Sequence, residues 1–164
     1  MEDWLKNNPQ VRTVTTAVAD LNGQARGKRM PSGFAYKALE GTTRMPLSVL
    51  NVDIWGDDIE DSPLVFETGD RDGILRPTER GFVPMPWLSN PTALLPMWMY
   101  TEAGDPFAGD PRHALKLVLD RFAARGWSVV AATELEFYLL DDSGDTLQPP
   151  PSPRSGKRRL GGEI

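Results

Sequence analysis

Two glutamates, Glu134 and Glu136, are the residues of this sequence whose type and spacing best suit chemistry. They lie in an apolar run, residues 127–140, that predicts a central strand buried on both faces. Because side chains alternate across a strand, both carboxylates would project from one face, roughly 7 Å apart. Buried carboxylates must be protonated, paired with cations or bound to metal, and Mg²⁺ or Mn²⁺ suits oxygen ligands of this kind.

The spacing of the two glutamates leaves other interpretations open. They could instead lie on an edge strand, with both side chains in solvent or bonded to Arg or Lys. They could also act as a general acid and base, as in glycosidases, although such carboxylates usually come from different elements. Spacing alone does not decide between these alternatives.

The composition narrows the class of protein. With 164 residues, of which 40% are hydrophobic, the chain is globular and can bury one core, or a small domain plus part of another. Its net charge of −5 argues against nucleic-acid binding, and the absence of cysteine excludes disulfides, thiolate zinc sites and cysteine nucleophiles. Its apolar runs are too short to span a membrane and its N-terminus is unlike a secretory signal, so we expect a cytoplasmic protein.

The first two thirds of the chain predict an α+β pattern of a small mixed sheet with a helix. Residues 11–20 are rich in β-branched side chains and precede the turn signal Asn22-Gly23, so they predict a β-hairpin with residues 24–30. The elements expected next are a short helix that ends at Gly41, an apolar run and two short strands: residues 31–40, 47–54, around 82, and 93–99.

A second region begins after the turn-rich residues 101–109. Asp110 is a good N-cap, Pro111 suits the first helical position and Gly126 is a stop, so residues 111–125 predict a helix. It leads into the predicted strand, and from about residue 141 a proline-rich tail predicts an exposed, flexible loop.

The segment Ala132-Thr133-Glu134-Leu135-Glu136-Phe137-Tyr138-Leu139 resembles the strand that opens the catalytic domain of the glutamine synthetase superfamily. Other segments resemble the family in the same order along the chain: Asp20-Leu21-Asn22-Gly23, Arg26-Gly27-Lys28-Arg29, Asp70-Arg71-Asp72-Gly73, Pro86-Trp87 and Asp110-Pro111-Arg112. The resemblance implies a β-grasp N-terminal domain, residues 1–106, followed by the beginning of an incomplete catalytic domain, residues 107–164.

The resemblance also implies a reaction. The family uses ATP to convert the γ-carboxylate of glutamate to γ-glutamyl phosphate, which an amine or ammonia then attacks, with Mg²⁺ or Mn²⁺ bound. By this resemblance Glu134 and Glu136 are ligands of two different metals. The remaining ligands and the ATP site are expected beyond Ile164, so the chain is expected to be inactive alone. The full-length form is expected to be a ring-shaped homo-oligomer, a dodecamer.

The amine acceptor is expected near Asp53, which matches a family aspartate of the amine or ammonium pocket. Members that use ammonia have Asp-Gly-Ser-Ser there, whereas this chain has Asp53-Ile54-Trp55-Gly56. This departure favours a larger amine such as a polyamine, and a nearby acidic cluster, residues 57–61, would suit a polycation. Trp55 would either line the pocket or pack in the domain, and His113, the sole histidine, is expected to be a surface or packing residue.

Two alternatives remain at this point. One is a glutamine synthetase proper, which uses ammonia. The other is a protein of another class, a non-catalytic β-grasp interaction or regulatory module that carries vestigial acidic residues.

Overall fold

The computed structural model describes residues 2–158, and the chain divides into two compact units after Ser128. Among the described residues no helix is both long and apolar enough to cross a membrane. In chain order the elements of the first unit are α1 (Glu2–Asn7), β1 (Thr13–Ala19), β2 (Ala25–Arg26), β3 (Arg29–Pro31), a 3₁₀ turn (Ser32–Phe34), α2 (Tyr36–Leu39), β4 (Arg44–Pro46), a 3₁₀ turn (Leu47–Leu50), β5 (Asp72–Pro77), β6 (Val83–Pro84), β7 (Thr92–Tyr100) and α3 (Pro111–Ala123).

The strands of the described residues form a mixed sheet in the order β2-β1-β7-β5-β4, with β3 also paired to β1 and β6 to β7. β1 and β7 are parallel, with Thr13 opposite Thr92, and the other pairs are antiparallel. The predicted mixed α+β fold is therefore confirmed.

The hydrophobic core is centred on β7, which is paired on both sides and nearly fully buried. Its residues Leu95, Met97 and Met99 have no exposed surface, and neither do Val14 of β1 and Leu75 of β5, with which they share one apolar cluster. A strand that is apolar along its whole length is typical of the centre of a sheet covered on both faces.

The predicted hairpin is present, but its returning strand is interrupted at Gly27-Lys28. There the Thr16 N–H donates to the Lys28 carbonyl (2.9 Å), and the Lys28 N–H donates to the Thr16 hydroxyl (3.2 Å). A Cβ on Gly27 would lie 1.6 Å from the Thr16 carbonyl oxygen. Position 27 therefore admits only glycine, because any side chain would overlap β1.

The predicted helix after Asp110 is confirmed as α3. The Asp110 carboxylate accepts the Arg112 N–H (2.9 Å) as an N-cap, and its second oxygen accepts the Met99 N–H of β7 (2.9 Å). His113 packs as expected: it is buried, stacks on Trp98 and hydrogen-bonds the Met99 carbonyl through Nε2 (2.9 Å). The first turn of α3 is thus held to the central strand.

The prediction of a buried strand over residues 127–140 is wrong for this structure. The described residues form no strand there, and the apolar side chains are exposed, with Leu135 at 82% and Phe137 at 75%. A strand needs neighbours that bind its backbone N–H and C=O groups, and no described strand pairs with these residues. The sequence interpretation also missed β4 and β5.

Replacing Gly27 by alanine tests the close approach in the hairpin. We expect Gly27→Ala to lower the free energy of unfolding by at least about 2 kcal/mol, because the added methyl group overpacks against the β1 backbone. Chemical denaturation followed by tryptophan fluorescence measures this change.

The matched control is Gly33→Ala, since a Cβ at Gly33 meets no atom within 4 Å. This variant should stay within about 0.5 kcal/mol of the parent. Equal stability of the two variants would contradict the steric argument.

Candidate functional site

Asp53 lies in a tight loop, and that loop fixes the orientation of its carboxylate. One oxygen, Oδ1, accepts three backbone N–H groups, from Trp55 (2.8 Å), Gly56 (2.8 Å) and Asp57 (2.9 Å). The backbone closes the same turn, because the Asp53 N–H donates to the Asp57 carbonyl (3.0 Å). No described residue donates a hydrogen bond to Oδ2, so this oxygen can accept a bond from a ligand.

The hydrogen bonds of the loop also favour the charged form of Asp53. The Asp57 N–H is the main cause that lowers the pKa of the Asp53 carboxyl below 3.8. Partial burial opposes this shift, while the N–H groups of Trp55 and Gly56 and the positive charge of Arg26 reinforce it. Donors that bind the charged form favour ionisation, so Asp53 is a carboxylate at neutral pH.

An ion pair between the buried Asp20 and the partly exposed Arg26 lies in the hairpin turn next to this loop. Asp20 has no exposed side-chain surface, and its Oδ2 accepts a hydrogen bond from Arg26 Nε (2.8 Å). Its Oδ1 accepts the N–H groups of Asn22 and Gln24, each at 2.8 Å. Burial raises the pKa of Asp20, but the Arg26 and backbone hydrogen bonds outweigh it, so the pKa is lowered from 3.8.

Asn22 connects the hairpin turn to the Asp53 loop. Its side-chain amide donates to the Val52 carbonyl (3.0 Å) and to the Asp53 carbonyl (3.1 Å). Because Asp20 fixes the Asn22 backbone, the Asp20–Arg26 ion pair indirectly positions Asp53. The sequence interpretation gave Asp20, Asn22 and Arg26 no role in the site, although the turn signal Asn22-Gly23 marked the segment.

Two apolar side chains beside Asp53 are exposed. Trp55 is 83% exposed and Ile54 is 69% exposed. Trp55 therefore does not pack in the core, which excludes one of the two expectations for it. Next to a carboxylate with an accessible oxygen, these side chains offer apolar and aromatic contact to a ligand.

Glu134 and Glu136 lie in the second unit. Both are exposed, and neither forms an ion pair or a side-chain hydrogen bond with another described residue. Within residues 2–158 no group of three or more His, Asp or Glu side chains could hold a metal ion. Carboxylates can bind a hard cation, but two of them alone would not complete its set of oxygen ligands.

Comparison with known proteins identifies the family. The glutamine synthetase catalytic domain matches residues 108–162. The chain is 34% identical to the γ-glutamylputrescine synthetase PuuA of Escherichia coli (strain K12), over 98% of this chain and 34% of that protein. This chain belongs to the glutamine synthetase superfamily.

The chain is also similar to other members of the superfamily. A glutamine synthetase of Pyrococcus abyssi is 31% identical, over 76% of this chain and 25% of its own length. The crystal structure of a glutamine synthase homolog shares the fold over 70% of this chain and 27% of its own, with a TM-score of 0.61 and 20% identity. The chain thus spans about a third or less of the length of these relatives.

Substitution of Asp20 tests the support of the loop. At neutral pH we expect Asp20→Asn to cost about 1.5–3 kcal/mol, because the amide cannot accept from Arg26 as a carboxylate does. The folded-state pKa of Asp20 lies below 3.8, so its stabilisation is present above that pH and is lost as the pH falls through the folded value. Denaturation across pH should therefore show the two proteins converging in acid.

The control for this measurement is Asp3→Asn, which removes a solvent-exposed ion pair with Lys6. Its cost should stay below about 1 kcal/mol. A gap between parent and Asp20→Asn that does not shrink in acid would contradict the role of the Asp20 charge.

Proposed function

We propose that this chain is the N-terminal part of an ATP-dependent ligase that joins an amine to the γ-carboxylate of glutamate through γ-glutamyl phosphate. Its similarity to a γ-glutamylputrescine synthetase over 98% of its residues supports this reaction class. The acceptor we propose is a polyamine or another alkylamine. Glutamine synthetase activity with ammonia is the alternative, supported by the 31% identity to the Pyrococcus abyssi protein.

The loop of Asp53 is the observation that carries the proposal for the amine. An alkylammonium group would bind the accessible Oδ2, while Trp55 and Ile54 contact its carbon chain. Cations are attracted to aromatic faces, and ammonia has no carbon chain to make the apolar contact. The acidic side chains of residues 57–61 add negative charge that suits an amine with more than one positive group.

The lowered pKa of Asp53 favours a role in binding over a role as a general base. A general base works best when its pKa lies near the working pH, and the pKa of Asp53 lies below 3.8. Asp53 is therefore suited to hold and orient the ammonium form of the substrate. The turn of residues 53–57 keeps the carboxylate in place, since all three of its N–H donors come from the backbone.

Glu134 and Glu136 are the proposed ligands for Mg²⁺ or Mn²⁺. Their exposed carboxylates have no cationic partner among the described residues, so they are available for coordination. Hard cations take about six oxygen ligands, so further ligands must come from elsewhere. When bound, these metals would neutralise charge on the phosphate groups of the nucleotide and the acyl phosphate.

We also propose the larger organisation of the protein. The central parallel pair of β1 and β7 with antiparallel strands on either side supports a β-grasp domain, residues 1–106. Residues 107–164 would begin the catalytic domain, and residues 159–164 of it lie outside the described residues. The ATP site beyond Ile164, a cytoplasmic dodecameric ring and the inactivity of the isolated chain complete the proposal. A non-catalytic module is the alternative of another class.

The amine site is tested by ATP-dependent phosphate release with glutamate and either putrescine or ammonia, using the protein of the complete reading frame. Asp53→Asn keeps the acceptor for the three N–H groups but removes the charge. We expect a KM for putrescine that is about tenfold to a hundredfold higher, since a charged hydrogen bond is lost, and an unchanged KM for glutamate.

Glu102→Gln is the control, because it removes an exposed acidic side chain outside the loop. Activity with ammonia but not with any larger amine would eliminate the polyamine proposal. An unchanged KM for putrescine in Asp53→Asn would remove Asp53 from the site.

The metal ligands are tested in the same assay with Mg²⁺ or Mn²⁺. We expect the double variant Glu134→Gln, Glu136→Gln to lose at least about a hundredfold in rate, because two metals lose a charged ligand each. Asp142→Asn, an exposed acidic residue of the same unit, should retain the parent rate. Parent-like activity and metal dependence in the double variant would overturn the assignment.

A further inference from the structure

A cleft of about 460 Å³ in the first unit collects positive charge from three parts of the chain. Lys28 comes from the interruption between β2 and β3, Arg29 from β3, Lys37 from α2 and Arg44 from β4. None of the described residues that line the cleft is acidic. The chain as a whole has a net charge of −5, so this concentration of cations runs against its composition.

The four cations of the cleft are not neutralised by their surroundings. All four side chains are exposed, and none forms an ion pair or donates a side-chain hydrogen bond to another described residue. Like charges that line one concavity repel one another and raise the local concentration of counter-ions. An anion that bridged them would remove this repulsion, so the arrangement favours a multiply charged anion.

The cleft also has an aromatic surface. Phe34, in the 3₁₀ turn before α2, is 51% exposed, and the Lys37 ammonium lies 5.5 Å from the centre of its ring. A half-exposed ring beside four cations can stack against a planar group whose charged end reaches the cations. The volume of the cleft also lies within the range of small-molecule sites, about 300–1,000 Å³.

We propose that this cleft binds a phosphate-bearing small anion, with a nucleotide as the form that also uses Phe34. Arg29 and Arg44 supply planar guanidinium groups that pair with phosphate oxygens two at a time, and the lysines add mobile point charges. The cleft carries positive charge, whereas the Asp53 loop carries negative charge, so the two sites suit different ligands. It does not depend on the proposed ligase activity, so either proposal can fail alone.

Titration calorimetry of the 164-residue chain with tripolyphosphate, ATP and adenosine tests the proposal. Tripolyphosphate and ATP should bind, and more weakly at high salt, whereas adenosine should not bind measurably. ATP should bind more tightly than tripolyphosphate, because only ATP has a planar base to place on Phe34. Absence of binding by both anions would overturn the site.

Variants assign the binding to this cleft. The double variant Arg29→Ala, Arg44→Ala should lower the affinity for both anions by about tenfold or more. This corresponds to the loss of about 1.4 kcal/mol of binding free energy. Phe34→Ala should lower the affinity for ATP but not the affinity for tripolyphosphate. Arg121→Ala, an exposed cation on α3 outside the cleft, should change neither, and circular dichroism should show each variant folded.

Two results would contradict the assignment. If the double arginine variant binds both anions as the parent does, the binding site lies elsewhere. If Phe34→Ala binds ATP as tightly as the parent, the stacking role of Phe34 is wrong.

Discussion

The parallel pairing of β1 with β7 is the constraint on which the first unit depends. It joins residues 13–17 to residues 92–96, which are far apart in the chain, and it places β7 between β1 and β5. Both strands are largely buried, so their backbone N–H and C=O groups need these partners. The capping carboxylate of Asp110 uses the same central strand to hold α3.

The candidate amine site follows from this arrangement step by step. β1 ends at a turn in which the buried Asp20 binds Arg26, and Asn22 extends from that turn to the loop of Asp53. The loop then fixes the Asp53 carboxylate through three backbone donors. Local hydrogen bonds thus orient the Asp53 carboxylate and favour its charged form, while the sheet determines where the loop lies.

Charge is distributed unevenly over the first unit. The Asp53 loop is followed by an acidic run, residues 57–61, whereas the cleft around Arg29 and Arg44 is basic. A net charge of −5 describes neither surface. The physical consequence is that one fold can present sites for a cation and for an anion, each with an exposed aromatic residue, Trp55 or Phe34.

The sequence by itself determined the elements whose signals are local. The hairpin with its turn at Asn22-Gly23, the helix that begins after Asp110 and the family resemblance all follow from neighbouring residues. Tertiary structure decided the pairing of β1 with β7, the strand β5, the link from Asn22 to Asp53 and the exposure of residues 127–140. The reason is that a helix makes its hydrogen bonds within itself, whereas a strand or a buried charge depends on partners distant in the chain.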